Sequence, residues 1–99
     1  MTYYIQKLGD GLKIEHIKSK SIISIRKKAI ELLLSDSKTK ISSFKDHIGD
    51  YRVIFKDGHV VGLVTLAGTL KHNVFLWSKG RSSEYWICNR DGTLGKKVD

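Results

Sequence analysis

A single change of hydrophobic period constrains this chain more than any other feature of its sequence. In the segment SIISIRKKAIELLLSDS, apolar residues such as Ile22, Ile25 and Ala29 recur at the spacing of an α-helix. We therefore predict one amphipathic helix over residues 21–35, with a serine available to cap its start. The sequence on both sides alternates with a period of two, which is typical of half-buried strands. A helix between strand-rich segments predicts an α+β domain in which the helix lies on one sheet face.

Glycine and aspartate mark the turns between the predicted strands. Before the helix, TYYIQKL and LKIEHIK flank the GDG at residues 9–11, which predicts an N-terminal β-hairpin. After the helix, KISSFKDHIG predicts either a short second helix over residues 43–48 or a loop with a single turn. From Tyr51 onwards, YRVIFK and HVVGLVTL flank the DG at residues 57–58, and NVFLW, EYWICN and TLGKKV follow. We expect these segments to form an antiparallel meander of four to five strands within a single domain, residues 1–99.

The charge of the chain indicates which kinds of partner it can bind. Its net charge is +8 and its isoelectric point is about 9.7, and most of the 18 cations are lysine. Such a surface attracts phosphate backbones or acidic proteins at long range. Apolar runs are too short for a membrane span, so we expect no membrane contact. The abundance of lysine and isoleucine without proline would suit a bacterial or phage genome rich in AT pairs.

The cysteine and histidine content argues against a metal or a disulfide framework. Cys88 is the only cysteine, which favours a cytoplasmic location because small secreted domains usually carry several. The N-terminus lacks the basic and apolar regions of a secretion signal. The four histidines do not show the spacing of a zinc site, and no motif implies a cofactor. We therefore assign no catalytic residue, no metal ligand and no cofactor, and favour a non-enzymatic function.

One resemblance concerns the N-terminal quarter of the chain. The stretch YYIQKLGDGLKI, followed by a helix with Arg26, resembles the opening of a GIY-YIG nuclease domain. In that family a tyrosine strand, a hairpin and a helical arginine assemble a metal-dependent DNA-cleaving site. The glycine of the first motif is absent before Tyr3 and Tyr4, and KIEHI stands where the second motif would be. The chain also continues into a strand-rich half that departs from that fold, so no family is assigned.

Two groups of side chains are candidate binding residues. The first lies in the predicted helix and the residues just before it. Five cations fall within residues 18–28 and can lie along a phosphate backbone. The second surrounds a tryptophan on a strand, where an exposed aromatic ring beside cations can stack on a base or anchor a partner. Together the candidates are Lys18, Lys20, Arg26, Lys27, Lys28, Lys71, Trp77, Lys79 and Arg81. Solvated lysines and a tryptophan covered by the rest of the fold are the alternatives at these positions.

The sequence therefore predicts a small basic binding module. A protein–protein interaction or an accessory, regulatory role is expected, through exposed aromatics or a strand edge, with a protein partner or self-association. The alternative is a nucleic-acid-binding accessory protein that contacts the phosphate backbone through the lysine- and arginine-rich helix face.

Overall fold

In the computed structural model, which describes residues 2–8, 14–35, 50–68, 73–80 and 83–98, seven strands form one sheet. The elements in chain order are β1 (Tyr3–Leu8), β2 (Ile14–Ser19), α1 (Ile22–Ser35), β3 (Tyr51–Lys56), β4 (His59–Gly68), β5 (Asn73–Lys79), β6 (Tyr85–Cys88) and β7 (Leu94–Val98). The strand order is β2-β1-β3-β4-β5-β6-β7, and all neighbouring strands are antiparallel.

The predicted α+β fold is confirmed. β1 and β2 form the N-terminal hairpin, α1 follows, and β3 to β7 form a five-stranded antiparallel meander. The chain returns after the helix to place β3 beside β1, so the hairpin and the meander share one sheet. The GDG turn at residues 9–11 and the proposed short helix at 43–48 lie outside the described residues.

The helix begins where the sequence supplies a cap. The Ser24 backbone N–H donates to Ser21 Oγ at 3.3 Å, which satisfies one of the N–H groups that a helix start leaves unpaired. The face with Ile25, Ala29 and Leu33 is buried against the sheet. The apolar side chains of Ile23 and Leu34 are instead 44% and 45% exposed, because they lie outside this face.

The main cluster of buried apolar side chains lies between α1 and one face of the sheet. Alternation along each strand sends every second side chain towards the helix, including Ile5, Ile54, Val64, Phe75 and Cys88. These side chains pack with the helix residues into one cluster. Apolar burial of this kind supplies most of the driving force for folding.

The turn between β3 and β4 also shapes the sheet. Asp57 and Gly58 have φ values of 51° and 76°, as the DG signal predicts for a tight hairpin turn. Farther from the turn, Ile54 pairs with Gly62 and Phe55 with Val60, so Val61 is an extra residue in β4. Such a bulge increases the local twist and redirects the side chain that it carries.

The described part of the chain contains no helix with the length and apolar character needed to cross a membrane.

Candidate functional site

A cleft opens between the first turns of α1 and the sheet. Its volume is about 290 Å³, close to the lower limit for ligand pockets. Three aromatic, three aliphatic and two cationic side chains line it: Tyr3, Trp77 and Trp86; Ile22, Val61 and Leu94; Arg26 and Lys79. None of these lining residues carries a carboxylate. We call this the Arg26 cleft.

The Arg26 side chain is one of the two cations that line this cleft. Its guanidinium carbon lies 4.2 Å from the centroid of the Trp77 ring, a cation–π contact. Nη1 donates to the backbone carbonyl of Gly92 at 3.4 Å, a long hydrogen bond. Nε is buried and has no hydrogen-bond partner. The guanidinium is therefore held in position, and among the described residues Gly92 is the one hydrogen-bond acceptor that it contacts.

The charge of Arg26 lies in a half-buried environment. Burial lowers its pKa below the ordinary value, and the nearby Cys88 and Tyr3 groups oppose this effect only in part. An arginine remains protonated under such conditions, because its ordinary pKa exceeds about 12. No ion pair to Arg26 is found within the described ranges. A half-buried cation without a carboxylate favours binding of an external anion.

Trp77 forms the floor of the cleft and is only 4% exposed. One side of its indole is covered by Arg26, and a Cβ at Gly62 would clash with its ring carbons Cη2 and Cζ2. Of the two alternatives that the sequence left open for Trp77, an exposed ring or one covered by the rest of the fold, the structure shows the covered ring. Trp77 thus orients Arg26 and is not itself available for stacking.

Two further aromatic rings line the cleft, and each lies beside a lysine. Lys56 Nζ is 5.4 Å from the ring centroid of Tyr3, and Lys97 Nζ is 5.9 Å from that of Trp86. Both rings are partly exposed. Lys97 Nζ also donates to Glu84 Oε1 at 3.1 Å, an exposed ion pair that contributes at most about 1 kcal/mol. The cleft is therefore flanked by two pairs of aromatic and cationic side chains.

The turn between β6 and β7 closes one side of the cleft. The Thr93 backbone N–H and Oγ1 both donate to Asp91 Oδ1, at 3.0 and 2.6 Å. These hydrogen bonds lower the pKa of the Asp91 carboxyl. Gly92, with φ of 92°, packs so closely on the helix that a Cβ would clash with the Ile23 carbonyl. The turn is thus pre-formed and presents the Gly92 carbonyl to Arg26.

The predicted site residues do not all lie in one place in the structure. It brings together Arg26, Trp77 and Lys79 in one cleft. Arg26 does not share the solvent-facing side of the helix with exposed Lys27, because successive helical residues point about 100° apart. The expectation that Arg26 belongs to one exposed basic helix face is therefore corrected.

The other predicted cations lie elsewhere. Lys28 Nζ donates to the Lys18 carbonyl at 3.1 Å. The Lys18 side chain lines a groove with Tyr4 and His16, on the face of the sheet opposite α1. Lys20 is exposed and lines none of the described clefts. Lys71 and Arg81 lie outside the described residues.

Sequence reasoning missed several residues of the cleft. Tyr3, Lys56, Val61 and Lys97 were not singled out, and Trp86 was noted only as a strand aromatic. Alternation alone places Tyr3 on the same face as the buried Ile5, which was an available signal. Nothing in the local sequence places Tyr3 near the helix start or β6, since that depends on the order of the strands.

Cys88 is not an accessible nucleophile. Its side chain is buried in the core cluster. Burial raises the pKa of its thiol to about 11, although Arg26 partly opposes this shift. The thiol is therefore protonated at neutral pH, and the nucleophilic thiolate is scarce. The described residues contain no group of three or more histidine, cysteine, aspartate or glutamate side chains that could hold a metal ion.

Comparison of the chain with protein-family models, with curated proteins and with solved structures found no match. The geometry of the Arg26 cleft is therefore the basis for assigning a function.

Proposed function

We propose that this protein is a non-enzymatic module that binds nucleic acid through the Arg26 cleft. The observation that carries the proposal is the half-buried Arg26 guanidinium, which lies over the Trp77 ring in a cleft whose described lining residues carry no carboxylate. The guanidinium N–H donors suit a phosphate oxygen, and an arginine fork is the usual choice for that group. Filling the cleft with an anion would offset the desolvation of this cation.

The surrounding charges favour a polymeric anion over a small one. Lys79 lines the cleft, and Lys56 and Lys97 lie beside its aromatic rings. The chain carries a net charge of +8. Several cations along one cleft match the regular negative charges of a phosphate backbone. Aromatic rings between them supply stacking surfaces for bases.

A protein partner is the second candidate. Ile23 and Leu94 are 44% and 39% exposed near the same turn, which favours contact with an apolar surface. Pairing through a strand edge is less favoured. The edge strands β2 and β7 carry lysines, namely Lys18, Lys96 and Lys97, and such residues oppose the addition of another strand. A cytoplasmic location, as the single cysteine favours, suits either partner.

The proposal can be tested by fluorescence anisotropy with labelled DNA and RNA oligonucleotides of about 12 nucleotides, within the site sizes of known single-strand binders. Affinity should fall as salt rises, because phosphate contacts release counterions. Lys79→Ala should weaken binding and reduce the slope of log affinity against log salt by about 0.7. Glu84→Gln should strengthen binding, because it removes the carboxylate that Lys97 contacts.

Lys96→Ala is the matched control. It removes the same charge from an exposed residue of β7. Lys96 is next to Lys97 in this strand, so its side chain points to the opposite face of the sheet. The control should change affinity less than Lys79→Ala. Equal effects of the two variants would show that charge alone drives binding. A failure of every oligonucleotide to bind at low salt would reject the proposal.

A further inference from the structure

We propose that the Arg26 cleft binds one single strand across the sheet, with unpaired bases stacked on Tyr3 at one end and on Trp86 at the other. The phosphates between these bases would contact Arg26 and Lys79. This inference rests on the proposed nucleic-acid function and specifies its ligand as single-stranded.

The two rings are well separated. Tyr3 lies on β1 and Trp86 on β6, and the sheet order places β3, β4 and β5 between them. Four strand spacings correspond to about 19 Å along the sheet. At this separation of the two backbones, an extended strand can contact both side chains, which line the same cleft.

Each end pairs an aromatic ring with a cation. Lys56 Nζ lies 5.4 Å from the Tyr3 centroid and Lys97 Nζ 5.9 Å from the Trp86 centroid. Because each ammonium lies over its ring, a base that stacks there would displace the lysine side chain, which could then contact the phosphate of that base. Between the ends, Arg26 and Lys79 supply the remaining positive charge of the cleft. The two rings can thus hold the terminal bases, and the two cations between them can contact the phosphates of the intervening nucleotides.

The same geometry disfavours a duplex. Bases in a duplex are stacked on each other and paired, so they cannot lie on Tyr3 or Trp86. An extended strand advances farther per nucleotide than the about 3.4 Å of a base-stacked strand, so the distance between β1 and β6 corresponds to fewer than about six nucleotides. The cleft therefore predicts both strand selectivity and a minimum ligand length.

The test is a length series of unlabelled DNA and RNA strands, from dinucleotides upwards, which compete with a labelled strand for the wild-type protein. Affinity should rise steeply with strand length, up to no more than about six nucleotides, and then level off. A matched duplex should bind at least about tenfold more weakly than the single strand. Tyr3→Leu and Trp86→Leu, which keep an apolar side chain, should each weaken binding by about 5- to 150-fold.

Tyr51→Leu is the matched control for these variants. Tyr51 is 53% exposed and pairs with Thr65 on the face of the sheet away from the helix. The Tyr51→Leu variant should bind the single strand with the same affinity as the wild type. Because Tyr3→Leu and Trp86→Leu can also disturb folding, circular dichroism should accompany the binding measurements. Photo-crosslinking of 5-iodouracil strands to the wild-type protein supplies a test without substitution and should label Tyr3 and Trp86.

The outcomes separate this inference from the proposed function. Salt-sensitive binding with equal affinity for duplex and single strand, no length threshold and crosslinks outside the cleft would overturn the inference and leave nucleic-acid binding in place. No binding of any oligonucleotide would overturn both. Crosslinks at Tyr3 and Trp86 together with a length threshold would support both.

Discussion

The guanidinium of Arg26 lies over the indole of Trp77, 4.2 Å from the ring centroid, and links the first turns of α1 to the central part of the sheet. The contact keeps a positive charge in the cleft while covering a large aromatic side chain. It therefore contributes both to stability and to the proposed ligand site.

Arg26→Lys should destabilise the protein although it conserves the charge. A lysine cannot keep the planar stack or the hydrogen bond to the Gly92 carbonyl. We expect a loss of about 1 kcal/mol in the free energy of unfolding, measured by urea denaturation. Lys27→Arg, the reciprocal exchange at the exposed neighbouring position, should have almost no effect. Equal stabilities of the two variants would contradict this role of the stack.

Gly62→Ala should displace the Trp77 indole. The added Cβ would overlap the ring carbons Cη2 and Cζ2 and the Ser78 carbonyl. Overpacking of this kind costs about 1–3 kcal/mol, and we expect a lower urea midpoint with a change in tryptophan emission. Gly95→Ala is the control, since its Cβ would meet Ile87 Cβ at an ordinary 3.5 Å. Unchanged emission in Gly62→Ala would show that the ring does not depend on this glycine.

Gly92→Ala should be more damaging than Gly80→Ala. Both glycines have positive φ, 92° and 62°, so each alanine pays a backbone penalty of about 1–2 kcal/mol. At Gly80 the Cβ meets open space, whereas at Gly92 it clashes with the Ile23 carbonyl. Thermal unfolding should therefore show a clearly lower Tm for Gly92→Ala. Similar Tm values would mean that the turn does not pack tightly on the helix.

The buried thiol of Cys88 should make stability depend on alkaline pH. Its pKa is raised from 9.0 to about 11, chiefly by burial, so between these values the unfolded chain loses a proton that the folded chain keeps. This contribution to stability is fully present below about pH 9 and is lost as pH rises towards 11. Between about pH 9 and 11, the free energy of unfolding should therefore fall more for the wild type than for Cys88→Ala. Comparison of the two proteins cancels the effect of lysine titration, which is common to both.

Thiol reactivity supplies a second measurement for Cys88. A disulfide reagent should react slowly with the native protein at pH 8 and rapidly after unfolding in urea. Rapid reaction of the native protein would show that the thiol is at the surface. The same conclusion would follow if the stability of wild type and of Cys88→Ala depended on pH in the same way.

Local patterns in the sequence predict the elements of this fold. The periodicity over residues 21–35 predicts α1, which spans Ile22–Ser35, and the DG at 57–58 predicts the hairpin between β3 and β4. These features depend on residues close in the chain, through capping, turn geometry and the side-chain period of each element. The composition likewise determines the net charge of +8.

The cleft itself is decided by tertiary structure. Tyr3 and Trp86 lie at opposite ends of the chain, and they line one cleft because β3 pairs with β1 after the helix has crossed the sheet. The helix, once packed by Ile25 and Ala29, turns Arg26 towards Trp77 and leaves Lys27 in solvent. The sequence determines which cations and aromatic rings are present. Only the packing of the helix on the sheet decides which of them meet, because pairing between distant segments is set by the burial of the whole core.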